Sequence, residues 1–505
     1  MIALLQAFVR RLLWFPNRFL RWGFPGTDNP MNHLGSLTIF FGWIVLVSGL
    51  WLLIFFRTSI SDAFDSLEYL THQQWYLGGI MRSLHRYASD AMIITIALHV
   101  FREFSRDTYR LTRWFSWVAG LPLVWMVFVL GISGYWLVWD ELAQYVAITS
   151  SELLDAIPIF TSKMAANFLQ DSSLSDRFFT LMAFIHLIGL PIFLVFGIWL
   201  HVFRLTSPKI NPPKRLMAGT LLAMLVLSLL FPAVSQNQAD LALAPQTIEL
   251  DWFYLHAFPL VQIWSPGWVW VLLTGISTLI FLAPWLPPGK ALKPALVDLD
   301  NCNGCQRCAD DCPYGAIQVM PRSDGKRYEH EVVVDPDLCT RCGICVGACP
   351  TATPFRKRTP LVPGIDLPGS SAQHLKETID EETETFPLVL SFACTGSAEL
   401  AWLQAHDKAV VEVSCVGQIP PSYLDYVLSR NRAARVLLTG CGGNCQHRFG
   451  MDWAEQRISR ERDPNLRRRV GTDRIAMAWH EPWCSTGSLN AQLAILEKQA
   501  VETGE

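Results

Sequence analysis

Long apolar runs dominate residues 1–290, and short ones dominate the remainder. Crossing a hydrocarbon core of about 30 Å takes about 20 helical residues. Leu34–Phe56 and Trp114–Trp139 meet that length without a single charge, and Gly79–Phe101, Phe178–Phe203, Leu216–Val234 and Trp268–Leu286 are nearly as apolar. The pattern predicts six transmembrane helices between residues 30 and 290. Ahead of them, Leu12, Leu13, Trp14, Phe15 and Phe19 are interleaved with Arg10, Arg11, Arg18 and Arg21. That mixture suits an amphipathic helix lying on an anionic lipid surface, within a segment 1–29. A signal peptide fits less well, because the arginines follow the apolar residues and no small-residue cleavage site is present.

Loop charge sets the orientation. Arg102, Arg106, Arg110 and Arg113 fall in one loop and Arg204, Lys209, Lys214 and Arg215 in another, while the alternate loops near 58–77, 140–177 and 235–266 carry mostly Asp and Glu. Basic loops stay cytoplasmic, so both termini are expected there, in the inner membrane of a prokaryote. The whole chain is 51% hydrophobic, 17% charged and of net charge −3, which gives no footprint for nucleic acid.

Two of the expected spans carry matched histidines. His85 and His99 are fourteen residues apart, and His186 and His201 fifteen. Fourteen residues of α-helix rise about 21 Å and bring both side chains near one face. With one helix between them the two spans run parallel, so His85 should meet His186 on the outer side and His99 should meet His201 on the inner side. Two stacked bis-imidazole sites would hold two b haems. A single histidine at a helix end is more simply an interfacial residue; four in matched pairs are not. Gly35 and Gly49, and Gly120 and Gly134, repeat the fourteen-residue interval. Missing side chains at those heights would admit a flat macrocycle, although small residues also serve ordinary helix packing. Arg82 and Arg86 flank His85 and could hold haem propionates.

After the proline-rich exit at 284–294 the chain turns polar. All 13 cysteines lie beyond residue 300, a distribution that suits metal ligation in a reducing compartment better than a disulfide scaffold. Cys302, Cys305, Cys308 and Cys312 form C-x2-C-x2-C-x3-C-P, repeated by Cys339, Cys342, Cys345 and Cys349. Zinc is the other user of paired CxxC motifs. The complete double run, with Pro313 and Pro350, is the bacterial ferredoxin pattern, in which the fourth cysteine of each run serves the other [4Fe–4S] cluster. That implies Cys302, Cys305, Cys308 and Cys349 for one cluster and Cys339, Cys342, Cys345 and Cys312 for the second, in a domain at 291–353.

Residues 354–386, rich in Pro, Thr and acid, read as a linker. Beyond it PLVLSFAC, AVVEVSC, ARVLLTGC and RIAMAW are short β-rich runs between helical stretches, so 387–505 should be a small α/β domain. Cys394, Cys415 and Cys441 end three of the runs and would gather at the carboxyl edge of a parallel sheet, with Cys445 a short turn further on. Four such thiols could hold an iron–sulfur cluster, expected to be [2Fe–2S], or be inert buried side chains. Cys484 lies outside the set.

Residues 30 to about 286 resemble the cytochrome b/b6 family of quinol-oxidising complexes through RSLHRYASDAMIITIALHVFR, GISGYWLVWD, LLDAIPIF and FIHLIGLPIFLVFGIWLH. The histidine spacing is nearer the b6 branch, but His33 stands where that branch has a haem-tethering cysteine, so no covalent haem is expected. The family's quinol-oxidation motif, Pro-Glu-Trp-Tyr, has its nearest match in LDWFY, which puts Asp251 at the glutamate and implies a catalytic proton acceptor there. Residues 387–480 resemble the small iron–sulfur subunit of methyl-viologen-reducing hydrogenases, with Ser397 in place of a frequent second cysteine and a Cys441–Cys445 gap one residue tighter.

The expected architecture is an all-α transmembrane cytochrome b bundle, an α+β ferredoxin domain and a small α/β iron–sulfur domain. Such a chain reads as a membrane electron-transfer subunit working between the quinone pool and a soluble flavoprotein or iron–sulfur partner, either heterodisulfide-reductase-like or a dehydrogenase. Quinone reduction is the favoured direction and a homodimer is plausible from the resemblance. The alternatives are a bifurcating, quinol-oxidising subunit and a redox sensor or scaffold without turnover.

Overall fold

The computed structural model describes residues 2–24, 28–106, 109–110, 113–158, 176–203, 210–243, 247–286, 293–357, 359–395, 397–441, 447, 449–480 and 486–502. Contacts divide the chain into two units, Met1–Pro288 and Gly289–Glu505.

The first unit is helical. Helix α1 (Ile2–Gly23) buries a stripe of Gln6, Val9, Leu13 and Asn17, spaced three or four residues apart, and leaves Leu5, Phe8, Leu12, Phe15 and Phe19 exposed. Its packing is fixed by Gln6 Nε2 donating to Phe104 O at 3.2 Å and Arg10 Nη1 donating to Ser105 O at 2.7 Å. Both acceptors lie in the last turn of α3 (Ile80–Ser105), where carbonyls lack helical partners and a cation is favoured.

Helix α2 (Leu34–Phe55) is apolar on every side and packs along α3, through a core that includes Leu37, Phe40, Phe41 and Ile44 against Leu84, Ala88 and Met92. Helix α4 (Trp114–Val138) is followed by α5 (Glu141–Asp155), whose N-terminus is capped by Asp140 accepting from Ala143 N at 2.9 Å. Helix α6 runs from Asp176–Phe184 through a π turn at Ile185–Gly189 into Leu190–Phe203 and packs on α4. Helix α7 (Lys214–Leu230) lies on α3, and α8 (Phe258–Ile263) and α9 (Pro266–Leu282) complete the unit.

Among the described residues four helices are long and apolar enough to cross a membrane: Leu34–Phe55, Trp114–Val138, Phe179–Phe203 and Pro266–Trp285. Of the other two expected spans, the first is α3, 26 residues long but carrying Arg82, Arg86 and Asp90 in its first half, and the second is α7, only 17 residues long. Most of the apolar helix surface, including Ile192, Phe193, Val195 and Trp199 of α6, is exposed, as lipid-facing residues are.

The second unit packs around a large buried cluster from Ala295 to Ile475, with a separate one that includes Leu400, Leu403, Leu489 and Leu493. Strands β2 (Ile317–Pro321) and β3 (His330–Val334) form an antiparallel hairpin between the two cysteine runs. Strand β1 (Leu296–Val297) pairs antiparallel with β4 (Ile365–Asp366). The stretch expected as a linker is therefore folded. Leu361, Ile365 and Leu367 are buried, and α10 (Ala372–Glu382) buries Ala372, Leu375 and Ile379 under an N-cap in which Ser371 Oγ accepts from His374 N at 3.1 Å. Three apolar residues in eleven suffice to seat a short helix, and the surrounding acids hid that periodicity.

Strands β5 (Val389–Cys394), β6 (Val410–Val413), β7 (Arg435–Cys441) and β8 (Ile475–His480) form an all-parallel sheet in the order β6-β5-β7-β8. Helices α11 (Ala398–Ala405), α12 (Pro421–Ser429), α13 (Gly450–Ile458) and α14 (Thr486–Glu502) connect and cover it. A buried ion pair ties the ferredoxin part to this sheet. Arg457 Nη2 donates to Asp311 Oδ2 at 2.5 Å and Nη1 to Gly417 O at 2.8 Å, while Arg462 Nε donates to Asp311 Oδ1 at 2.8 Å. Asp311→Ala leaves the 1%-exposed Arg457 without its counter-charge. By chemical denaturation with the cofactors bound it should cost about 3–5 kcal/mol.

Candidate redox sites

The four histidines come together in the first unit as two pairs. The rings of His85 on α3 and His186 on α6 face each other with centroids 6.4 Å apart and planes at 64°. His85 and His186 would together hold a haem iron at this height. His201 lies among the charged neighbours of His99 at the other height.

Each imidazole faces one of the evenly spaced glycines. A Cβ on Gly49 would stand 2.9 Å from His85 Cε1, on Gly134 3.0 Å from His186 Cε1, on Gly120 3.1 Å from His201 Cε1, and on Gly35 3.5 Å from His99 Cε1. A larger residue at Gly49 would force the His85 ring to shift, and at Gly134 or Gly120 the facing ring would have to give by a few tenths of an ångström. The fifteenth residue between His186 and His201 is accommodated by the π turn at Ile185–Gly189, which adds one residue without adding a turn. Both pairs thus keep a fourteen-residue relation, as the glycines do.

Hydrogen bonds fix the rings of the first pair. His85 Nδ1 donates to Val45 O at 2.9 Å with Ser48 Oγ at 3.2 Å, and His186 Nδ1 lies 3.1 Å from Ser133 Oγ. A proton held on Nδ1 leaves Nε2 with a lone pair for a metal. The second pair is different: His99 Nδ1 lies 3.5 Å from Arg102 Nη2 and 3.8 Å from Glu103 Oε1, and that glutamate is paired with Arg102 at 2.7 Å. Sequence reasoning overlooked these serines, although Ser48-Gly49 and Ser133-Gly134 form a repeated dipeptide.

Asp251 is buried. It accepts from the Tyr135 hydroxyl and from Phe253 N at 2.6 Å, and pairs with Arg86 Nη1 at 2.9 Å. Arg86 also lies over the Tyr135 ring, 4.9 Å from its centroid, and 3.5 Å from Asp90. Arg82 donates to Ser235 Oγ at 2.6 Å and to Thr71 Oγ1, with Glu68 at 3.4 Å. Both arginines therefore engage protein acceptors around the 235–251 loop.

In the second unit the last cysteine of each run lies near cysteines of the other run. Cys312, Cys339, Cys342 and Cys345 line one recess of about 350 Å³, walled by Ile317, Val334 and Ile344. The electrostatic neighbours of Cys308 are Cys349, Cys305 and Cys302. The two runs bend alike: residues 304 and 306 have φ of 65° and 64°, and their counterparts 341 and 343 have φ of 61° and 75°. Such left-handed bends on either side of a cysteine turn successive N–H groups inward, as sulfur-bridged iron requires. Burial and the neighbouring cysteines push the Cys308 thiol up to about 12, and burial pushes Cys342 up to about 11. Thiolates in this setting are stabilised by bound iron, so the donor sets suit iron–sulfur clusters.

Cys394 and Cys415 are buried at the carboxyl edge of the parallel sheet. Cys441 ends β7 next to Gly440, whose added Cβ would lie 2.7 Å from Cys394 Sγ. This is the edge between β5 and β7 where the strand order reverses, a usual ligand position in such sheets. Cys415 shares a buried cluster with Cys342 and Ile344, an adjacency without any sequence signal. Cys445 and Cys484 lie outside the described residues.

Residues 24–208 match the family model of cytochrome b/b6/petB, residues 301–353 that of the 4Fe-4S dicluster domain, and residues 389–490 that of the methyl-viologen-reducing hydrogenase delta subunit. Cytochrome b6 of Prochlorothrix hollandica is 26% identical over 189 residues, which is 37% of this chain and 85% of that protein. Cytochrome b6 of Acaryochloris marina (strain MBIC 11017) is 25% identical over 189 residues, 37% of this chain and 87% of that one. Among solved structures, a hyperthermophilic respiratory Complex III aligns with a TM-score of 0.43 at 19% identity, covering 51% of this chain and 75% of that one. The chain thus joins a cytochrome b/b6-type segment, a dicluster ferredoxin segment and a hydrogenase delta-subunit-like segment, and is a membrane electron-transfer protein.

Proposed function

We propose that this chain is the membrane subunit of a quinone-linked oxidoreductase, joining a soluble flavin or iron–sulfur partner to the quinone pool in the direction of quinone reduction. The observation that carries the reading is the set of four histidines, each against a glycine, in a chain where Cys312 shares a recess with Cys339, Cys342 and Cys345 and Cys349 neighbours Cys308. When bound, two b haems, two [4Fe–4S] clusters and a [2Fe–2S] cluster supply one-electron carriage. His85, His186, His99 and His201 would hold the haems. Cys302, Cys305, Cys308 and Cys349 would hold one [4Fe–4S] cluster, and Cys312, Cys339, Cys342 and Cys345 the second. Cys394, Cys415, Cys441 and Cys445 would hold the [2Fe–2S] cluster.

The protein's own groups do the rest. Ser48, Ser133 and the Val45 carbonyl orient the first imidazole pair, and Arg86 with Tyr135 holds Asp251 as the carboxylate that meets the proton of the quinone couple. Six spans, with α3 and α7 included, put both termini and the cysteine-bearing unit on the cytoplasmic side, where the soluble partner docks on the C-terminal sheet. The bundle is one half of a homodimer.

The setting of Asp251 favours one second reading, quinol oxidation with the two electrons sent to unequal acceptors. Adding quinol or a reduced partner to the purified complex and following the haem spectrum tests both. Steady quinone reduction by the reduced partner is expected, while haem reduction by quinol that requires a second acceptor would support the other direction. Haems that respond to neither donor with turnover would leave a sensor. Asp251→Asn should lower quinone turnover by about 10²-fold, the scale of one positioned acid or base, with the haem spectrum retained.

A further inference from the structure

The carboxylate that the sequence singles out is not the one best placed to keep a proton. Asp251 is surrounded by donors: Arg86 at 2.9 Å, Phe253 N at 2.6 Å and the Tyr135 hydroxyl. Its oxygens are thus already engaged by these three groups. On the other side of the same guanidinium lies Asp90, 8% exposed, with Oδ2 at 3.5 Å from Arg86 Nε and a buried Oδ1 that has no hydrogen-bond partner among the described residues. Two carboxylates therefore share one cation in an apolar bundle. The trio carries one negative charge when fully ionised and becomes neutral by taking up a single proton. A proton added to Asp251 would displace established hydrogen bonds, whereas one added to Asp90 Oδ1 would displace none.

The surroundings of Asp90 agree. On its own helix it faces Arg86 and Tyr87, and from the 251–254 segment Asp251 and Tyr254, whose hydroxyl lies 2.6 Å from Ser89 Oγ. Tyr135 reaches the trio from α4, and α2 brings no charged side chain. Helix α7 has its two cations, Lys214 and Arg215, in the first turn, while its far end meets the outer part of α3 through Tyr87 donating to Phe231 O at 2.5 Å. No other charge competes for Asp90 among the described residues of these elements.

We propose that Asp90 is the proton store of the quinone site, the group on which the proton exchanged at Asp251 comes to rest. This rests on the quinone reading above. In the oxidising direction one quinol O–H bond breaks, its electron pair stays on oxygen, and the proton passes by way of Asp251 to form an O–H bond at Asp90 Oδ1. The second proton leaves to the aqueous side, and two electrons leave to the one-electron carriers. Quinone reduction reverses each of these transfers. Arg86 then pairs with Asp251 alone.

The test uses the assembled complex in its membrane, with wild type, Asp90→Asn and Asp90→Glu compared over pH 5–9. In the wild type, quinol-driven haem reduction should rise with pH as the store loses its proton. Asp90→Asn should reduce the rate at least about tenfold and flatten that rise, and Asp90→Glu should restore both. A purely structural role would lower the rate equally at every pH. Should Asp90→Asn fail to assemble haem, redox-triggered infrared difference spectra of the wild type and Asp90→Glu decide: a protonated carboxyl band is expected that shifts with the glutamate. An unchanged pH profile in Asp90→Asn, or a carboxyl band indifferent to Asp90→Glu, overturns the proposal. If wild-type haems ignore quinol at every pH, the quinone reading falls and this inference with it, a result distinct from an altered variant beside a responsive wild type.

Discussion

Replacing His99 with alanine should leave the protein with one b haem in place of two. Haem iron in a bis-imidazole site is held from both faces, so removing one ring takes away half of the axial field, and His201 alone faces a gap where its partner stood. The α-band absorbance per chain should fall by about half, and the remaining haem should be the one between His85 and His186, since those rings are fixed by Val45, Ser48 and Ser133 and by nothing on His99. His85→Ala should leave the complementary haem. The two single variants together should account for the full spectrum, and potentiometric titration should assign one midpoint to each. Loss of both haems from either variant, or of neither, would refute the pairing.

The contrast between the two pairs sharpens this expectation. Backbone and serine oxygens serve the first, while a glutamate locked to Arg102 stands beside the second. A ring whose Nδ1 proton is held by a neutral oxygen and one beside a paired carboxylate differ in basicity. The two remaining haems should accordingly show different midpoints.

Much of this arrangement could be read from the chain before its structure. The fourteen-residue interval of the glycines matched that of the histidines because each glycine and histidine meet across antiparallel neighbouring helices, so a distance along one helix reappears along the other. The fifteen-residue interval at His186 keeps the same spacing because the π turn sets one residue aside. Asp251 was found by its place in a motif. Asp90 and Tyr135 were not, because a carboxylate within an apolar run carries no sign of what it will face across the bundle. The 354–386 stretch was misread for a related reason: composition reports solvent exposure on average, whereas three apolar residues on one face of α10 were enough to fold it. The contact between Cys415, Ile344 and Cys342 joins segments about seventy residues apart and is a property of the packed core alone.

The crossing of the cysteine runs gives the second large effect. Cys312 is the last cysteine of the first run, yet it lines the same recess as Cys339, Cys342 and Cys345. Cys349, the last of the second run, is the first cysteine neighbour of Cys308. Cys312→Ser should therefore remove or alter the cluster bound by the second run and spare the one bound by Cys302, Cys305 and Cys308. Iron and acid-labile sulfide in the ferredoxin part should fall by about half, and the spin-resonance spectrum of the reduced protein should match that of Cys339→Ser rather than that of Cys302→Ser. Cys349→Ser should match Cys302→Ser. Sets that followed the runs would reverse both matches, and zinc in place of iron would leave all four variants without a spectrum to lose. With crossed sets, the hairpin of β2 and β3 would join two runs that each depend on the other for a fourth thiol, and neither cluster would assemble until both halves had folded together.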